Sequence, residues 1–441
     1  MNVDVDVNVN ERVSHTVHAH RGRPTERRPR TRRPLPLFPF PLYFFLSAAS
    51  AGAQGFTGYV ETKAFAFFDK TTDADEWATG WGVVFLKEEG RIGRARFVAS
   101  VRAEGITSND QGQIVFDPAD RNAARPPLSI RELYVRLPLA DPLDLQLGRF
   151  ELGWGKTDGY SPADAFLPRD QTDPFADEKL PLWGVRLQGQ RGTLRYELLA
   201  SFVTTPWRLP SMEGRYSPFS DFGYFLLPAE NDPPVRGFEA IRFLKTWGPW
   251  DGGVWVRTGV RPAPLLVAHL DRAERRPDGV FVPVDRRFVD EHAAGVELSR
   301  VIGAYVLRGE IGVSFSDDPD LGDALIWAIG CERAVGDGSL MITLAGNALD
   351  TPVDPLLLFD RAMLPAAIVA FYQNPSWGVW KVVWTVQLRE ASDLLKGELD
   401  YSLTDVWKLT VGVDLPYGSR EGAFGAVSHA RRARAALRWS W

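Results

Sequence analysis

The 441 residues are enough for two or three ordinary soluble domains or for one large barrel, and an apolar fraction of 45% beside 24% charged residues does not separate these cases. The single cysteine, Cys331, excludes an internal disulfide framework and, by itself, a zinc-cysteine site; it reads as a small apolar wall residue. The net charge is −5, no basic tract of nucleic-acid-binding type follows the first 53 residues, and 15 Trp, 26 Phe and 11 Tyr suit interfacial girdles as well as a core.

The chain begins with a targeting pattern. Arginine-dense RGRPTERRPRTRRP precedes the apolar LPLFPFPLYFFLSAAS and the small residues SAGAQ, the order of an n-region, an h-region and an A-x-A cleavage site with Ala51 and Ala53 at its small positions. Cleavage is expected after Ala53, dividing the chain into a leader, 1–53, and a mature protein, 54–441. The apolar stretch is short and holds Pro36, Pro39 and Pro41, which argues against a membrane anchor. Residues 1–33 exceed a usual n-region, and an over-called start codon explains them better than a domain does. His15, His18 and His20 lie in this leader and are not read as metal ligands. The leader holds eight arginines and four acidic residues, so its removal makes the remainder more acidic, and no nucleic-acid partner is expected.

Beyond Gly55 no stretch has the roughly 20-residue apolar length of a membrane-spanning helix. Strand-like segments recur instead. In IGRARFVASVRAE, Ala95, Phe97, Ala99, Val101 and Ala103 alternate with Arg94, Arg96, Val98, Ser100, Arg102 and Glu104. In VWKVVWTVQLRE, Trp380, Val382, Trp384, Val386 and Leu388 alternate with Lys381, Val383, Thr385, Gln387 and Arg389. GELDYSLT and VWKLTVGVDL repeat the pattern with Leu399, Tyr401, Trp407, Leu409 and Val411 against Glu398, Asp400, Lys408 and Asp414. A helix would scatter these charges round its circumference, whereas a strand, with its period of two, sorts them onto one face.

Strands are predicted at 55–68, 79–88, 92–104, 129–137, 143–150, 180–190, 193–203, 236–246, 251–262, 290–300, 303–315, 322–334, 338–348, 363–373, 378–390, 394–403, 406–415 and 431–441. Short turns at EEGR, PLADP, QRG, WGPWD, VIG, VGDG, NPSWG and LTDV alternate with loops at 69–78, 105–128, 151–179, 204–235, 263–289, 349–362 and 416–430; the links near 316–321 and 391–393 break the alternation. Two-faced strands in even number, with short turns alternating with long loops, predict an all-β fold: a transmembrane antiparallel up-and-down β-barrel of roughly 18 strands, range 14–18, in the bacterial outer membrane. A propeller would instead show an internal repeat of about 40–50 residues, and none is found. The last strand, RARAALRWSW, ends on Leu437, Trp439 and Trp441, which resemble the C-terminal signal read by the barrel-insertion machinery of that class. Expected partners are therefore membrane lipid, the insertion machinery and small solutes, with the oligomeric state open.

The stretch LGRFELGWGKTDGYSPADAFLPRDQTDPFADEKLPLWGVRL is the most distinctive. Gly155-Lys156-Thr157 suggests a phosphate loop, but the motif needs glycine five residues earlier and position 150 is Phe. Asp158, Asp164, Asp170, Asp173, Asp177 and Glu178 lack the spacing of a calcium loop and stand beside Lys156, Arg169 and Lys179, so internal pairing is expected and no metal or cofactor. His292 and Ser299, seven apart on one strand, point to opposite faces and form no dyad, so no catalytic residue is assigned.

Gly148-Arg149, then Trp154 to Asp164 in the pattern Trp-Gly-Lys-x-Asp-Gly-x-x-Pro-x-Asp, then Lys179 to Pro181, Pro206 to Pro210 and Arg215 to Pro218, resembles a group of poorly characterised porin-like outer-membrane barrel proteins. The resemblance covers about seventy residues and implies barrel architecture, saying little about the solute. The resulting reading is a non-enzymatic channel for passive diffusion of small solutes, with a barrel lipase or protease, or a structural or adhesive barrel, as alternatives. Expected lumen charges are Arg94, Arg96, Arg102, Arg136, Arg308, Lys381, Arg389, Lys408, Arg434 and Arg438 against Glu104, Glu132, Glu310, Glu398, Asp400 and Asp414, an excess of base that predicts weak anion preference. The loop 151–179, long and carrying Trp154, Tyr160, Phe166 and Phe175, is expected to fold inward as a constriction, with Trp154, Lys156, Asp158, Asp164, Arg169, Asp170 and Asp173 as its candidate residues.

Overall fold

The computed structural model describes residues 53–69, 76–107, 115–122, 124–176, 178–211, 214–216, 224–228, 233–276, 279–319, 321–349, 357–358, 367–374, 378–388, 391–420 and 422–441. The expected leader thus lies outside the described residues, apart from Ala53.

Eighteen strands form one antiparallel sheet that closes on itself. They are β1 (Ala53–Phe67), β2 (Ala78–Ile92), β3 (Ala95–Ile106), β4 (Leu128–Ala140), β5 (Leu143–Phe150), β6 (Leu182–Arg191), β7 (Leu194–Ser201), β8 (Phe238–Trp247) and β9 (Trp250–Val260). The second half comprises β10 (Asp290–Ile302), β11 (Tyr305–Phe315), β12 (Ala324–Val335), β13 (Gly338–Leu349), β14 (Ala367–Asn374), β15 (Val379–Gln387), β16 (Ser392–Ser402), β17 (Trp407–Gly418) and β18 (Arg432–Ser440). Each pairs with the next in sequence, as in β8 with β9 and β17 with β18, and β18 returns to β1 from Tyr59↔Ser440 to Phe67↔Arg432. Gly58 and Trp441 exchange backbone hydrogen bonds of 3.2 and 3.1 Å at the seam. Closure leaves no barrel strand with an unpaired edge, the condition for a sheet to cross a bilayer. The fold is a transmembrane antiparallel β-barrel.

Short connections gather at one end. Five two-residue turns begin with a glycine at positive φ, namely Gly93, Gly192, Gly248, Gly303 and Gly336. The predicted turn at EEGR moves as a result: Gly93, with φ +60°, makes the bend, and Gly90 stays in the strand, where the Phe97 ring covers it and leaves no room for a Cβ. The link after β11 covers 316–323 and that after β15 covers 388–391, so even the two irregular places keep the up-and-down order.

The two faces of the wall are chemically opposite. Leu133, Val135, Ile241, Phe243, Val254, Val256, Val296, Ile311, Ile329, Ile342, Leu344, Val382, Val411 and Leu437 stand exposed on the outside. An apolar belt spread over so many strands is tolerable only against lipid. At the turn end it is bordered by Trp247, Trp380, Trp407, Trp439 and Trp441, all exposed; the Trp439 and Trp441 rings lie 4.8 Å apart.

The compact core sits inside the loop end of the barrel. Phe150, Leu152, Trp154, Ala163, Phe166 and Leu167 pack on the inward faces of Leu182, Leu199, Phe238, Ala240, Trp255, Ala293 and Ile326. A second cluster joins Phe65, Phe67, Trp81, Val83 and Leu394 of the wall to Phe175 and Tyr216 of two loops. Beyond the rim, Gly279–Arg287 pairs with Leu265–Ala268, Glu274–Arg276 and Tyr224–Pro228 in a small separate sheet.

Candidate pore constriction

The loop that follows β5 leaves the wall at a point where only glycine fits. Gly148 has φ +129°, and a Cβ there would collide with the backbone of Leu133 and Tyr134. From Phe150 the chain turns inward and runs past successive strands. Trp154 Nε1 donates to Glu197 of β7 at 2.8 Å, Arg242 of β8 donates to the Trp154 carbonyl, and Lys156 Nζ reaches Asp251 of β9 at 2.6 Å. The Phe166 ring lies 5.4 Å from that of Trp255.

The densest attachment is to Glu310 of β11. Its carboxylate accepts from Lys156 N and Thr157 N at 2.6 Å each, from Thr157 Oγ1 at 2.9 Å, from Ser161 Oγ at 2.6 Å and from Ala163 N at 3.2 Å. Gly155-Lys156-Thr157 does cradle an anion, and that anion belongs to the protein's own wall. Charge-assisted bonds of this kind are about twice as strong as neutral ones.

The returning half of the loop is held on the far side. Asp173 pairs with Arg432 of β18 at 2.9 Å, the Phe175 carbonyl accepts from Lys396 of β16, and Glu178 meets Arg102 of β3 at 2.6 Å and Arg131 of β4 at 2.9 Å. The loop therefore touches strands from β3 round to β18, which it can do only by crossing the lumen.

Two other loops tie it down. Asp170, fully buried, lies 3.0 Å from Arg125 Nε and 2.7 Å from Arg208 Nη1; Arg208 Nη2 and Arg149 Nη2 each donate to Asp120 at 2.6 Å. Burial opposes ionisation of Asp170, but Arg125 and Arg208 overcome it and hold the carboxyl well below its usual range. Burial likewise opposes ionisation at Asp120 and Asp173, where Arg208 with Arg149, and Arg432, lower the carboxyls. Such buried pairs add little net stability, yet removing one partner strands a charge and is costly.

The seven candidate residues thus play different parts. Trp154, Lys156 and Asp164 fasten the loop to the wall and to itself, Asp164 accepting from Trp154 N at 2.7 Å and from Lys179 Nζ at 2.5 Å. Arg169 and Asp170 pair with Lys179 and Glu178 in a two-residue ladder. Asp170 and Asp173 are buried, so they bind the loop down and do not face solute. Asp158 is largely exposed and stands 3.7 Å from Arg308. These aspartates are spread among separate cations, and among the described residues no cluster of three His, Cys, Asp or Glu is arranged to hold a metal. Sequence reasoning missed Asp120, Arg125, Arg208, Arg215 and Tyr216, which come from other loops. Arg149, Arg208, Arg215 and Tyr216 nevertheless fall within the family-like pattern. Arg215 donates to the backbone carbonyls of Asp69 and Glu76, and Tyr216 accepts from Arg432.

Most of the expected lumen charges line the inside, in pairs. Lys381 meets Glu398 and Asp400 at 3.0 and 3.2 Å, Lys408 meets Asp400 at 2.8 Å, Arg434 meets Glu398 at 2.7 Å, and Arg438 meets Glu61 at 2.9 Å. Arg136 pairs with Asp144, Arg308 with Glu332, Arg96 with Glu89, and Lys87 with Glu132. Arg102 also pairs with Glu104 at 3.1 Å. Arg94 is a correction: it sits in the exposed turn beside Gly93 and not on the wall, because β2 runs on to Ile92. Arg389 lies outside the described residues. Glu61, Glu89, Asp144, Glu197, Asp251, Glu297 and Glu332 were not counted from sequence, and neither were the wall cations Lys63, Lys87, Arg131, Arg186, Arg242, Arg257, Lys396 and Arg432, so the expected excess does not describe a wall on which charges of both signs are paired.

No family model matches the chain, and no curated protein sequence does. Solved structures do. OccK9 (OpdG) of Pseudomonas aeruginosa is similar with a TM-score of 0.52 at 11% identity, over 89% of this chain and 98% of that one. A BenF-like porin from Pseudomonas fluorescens Pf-5 gives 0.50 at 11% identity over 88% and 97%, and OccK2 (OpdF) of Pseudomonas aeruginosa gives 0.50 at 11% over 88% and 98%. At such identity the likeness is one of architecture: this chain has the β-barrel fold of the outer-membrane porins.

Proposed function

We propose that this chain is a porin-like channel of the bacterial outer membrane for passive diffusion of small solutes, with loop 151–179 as its constriction. The observation that carries the reading is the course of that loop across a charge-lined barrel, from Glu310 on β11 to Arg432 on β18. Solute passes beside the loop, along the paired charges of the remaining wall. Because those charges are locally balanced, the channel discriminates weakly by sign. The family-like pattern supports the same assignment, since several of its residues build the loop's anchorage. Export with cleavage near Ala53, and Leu437, Trp439 and Trp441 as an insertion signal, belong to this reading.

A barrel hydrolase fits less well. The hydroxyl–imidazole pair Thr258 Oγ1 and His292 Nδ1, 2.7 Å apart, is on the exposed outer side, and no third group orients the ring among the described residues. Ser299 donates to the Asp251 carbonyl instead.

Planar-bilayer recording tests the proposal. The folded protein should insert and give ohmic steps with a reversal potential near zero under a salt gradient. Replacing 156–178 by a short Gly-Ser bridge should raise single-channel conductance clearly. A deletion variant that keeps heat-modifiable electrophoretic mobility but conducts as before overturns the constriction; stable insertion without steps overturns the channel.

A further inference from the structure

The outer wall carries a shallow groove beside a group of cations that the diffusion pathway does not use. Strand register defines it row by row. Lys245, Gly252, Leu298, Gly309 and Ile329 are successive cross-strand partners from β8 to β12 and share the outward face. On the mid-membrane side runs the row Phe243, Val254, Val296, Ile311 and Trp327; on the turn side runs Trp247, Trp250, Arg300 and Leu307. Gly309 leaves a gap in the middle row, while the Trp247 ring and Leu298 cover Gly252 and wall the space beside it, and the resulting cavity, almost wholly apolar, has a volume of about 710 Å³.

Three cations stand near it, Lys245 at the end of the middle row and Arg300 and Arg333 on its turn side. Lys245, Arg300 and Arg333 each lie three residues from a tight turn glycine, at Gly248, Gly303 and Gly336, which puts them within roughly 10 Å of the strand ends. Arg300 lies over the Trp250 ring at 4.6 Å and Arg333 over the Tyr305 ring at 5.1 Å. None of the three forms an ion pair among the described residues, and Arg300 Nε is buried without a hydrogen-bond partner there. Inside the barrel, by contrast, cation after cation is matched to a carboxylate.

We infer that this groove is a binding site for one anionic phospholipid of the periplasmic leaflet, its acyl chain lying in the apolar groove and its phosphate meeting Lys245 and Arg300. The short turns put this end of the barrel at the periplasm. Unpaired cations at the depth of an aromatic girdle lie where a phosphate can reach them, and each contributes about the affinity expected of a basic residue at an anionic surface. Gly309 serves the acyl chain: a side chain there would occupy the open space above it, where a Cβ meets nothing within 4 Å.

The test is native mass spectrometry of the full chain released from nanodiscs made of phosphatidylglycerol and phosphatidylcholine. Wild type should retain one phosphatidylglycerol in preference to phosphatidylcholine. Lys245→Gln with Arg300→Gln should reduce that retention about ten-fold or more. Gly309→Leu, which has room in the fold, should abolish it while heat-modifiable mobility and conductance stay unchanged. Equal retention of both lipids, or retention indifferent to Gly309→Leu in folded protein, overturns the inference. An oligomer in wild type that Gly309→Leu dissolves also overturns it, by assigning the groove to a second copy of the chain.

Discussion

Arg432, Arg434 and Arg438 lie on the same inward face of β18, yet their side chains are 3%, 21% and 37% exposed. Arg432 is enclosed by Asp173 and Asp414 at 2.9 and 2.6 Å and by the rings of Phe65, Phe175 and Tyr216. Arg438, a few residues toward the turns, meets only Glu61 and the Tyr59 ring among the described residues and is the most exposed of the three. Identical side chains on one strand therefore do different work. In the proposed channel the loop end of the lumen uses charge to hold the constriction loop in place, and the turn end uses it to line the passage.

The comparison breaks most visibly at Arg432. Arg432→Met strands Asp173 and Asp414 and should cost about 3–5 kcal/mol, with loop 151–179 released and newly open to protease. Arg438→Met should cost about 1 kcal/mol or less and register chiefly in conductance. Heat-modifiable electrophoresis with limited proteolysis separates the two, and similar losses at both sites would erase the distinction between constriction loop and passage.

A contrast of similar size lies across the thickness of the wall. Val382→Arg or Val411→Arg, on the exposed outer face, should cost about 2–4 kcal/mol, whereas Lys381→Gln or Lys408→Gln should leave folding intact and alter conductance. Equal folding losses in urea titrations would undo the assignment of inside and outside.

The mildest perturbation is acid. Asp120, Asp170 and Asp173 titrate below the ordinary aspartate value of 3.8 in the folded protein. Their contribution is complete above that value and is lost as pH falls through the lower folded values. Single-channel conductance should therefore be steady from about pH 5 to 9 and turn noisy and larger only below 3.8. A conductance change confined to the region near pH 6 would assign control of the loop to other groups.

The barrel was largely legible because alternation is written locally. Lys381 beside Val382 and Arg438 beside Trp439 declare opposite faces whatever surrounds them, and the eighteen predicted segments fall on the eighteen strands. The turn at Gly93 was misplaced by a few residues because EEGR and RIGR both carry turn residues, and only the pairing of Arg91 with Arg96 chooses between them. The inward course of loop 151–179 was expected from its length and aromatics, but which particular wall residues it grips was not. Glu310 lies about 150 positions away in the chain and Arg432 about 260, separations at which no local pattern relates residues.

Selectivity shows the same limit. Counting charges on the more regular strands gave an excess of base, since those strands are the ones on which alternation is easiest to see. Glu197, Asp251, Glu297 and Glu332, on segments interrupted by glycine or apolar residues, escape that count, as do cations such as Arg186 and Arg242 that pair with them. A two-faced, closed wall with an aromatic border is written in the local pattern, because a strand's side chains must point alternately and lipid admits only one of the two faces. Tertiary structure alone decided which lumen charges are buried, which remain in water and which carboxylate each loop grips, because those outcomes depend on strands brought together only when the barrel closes.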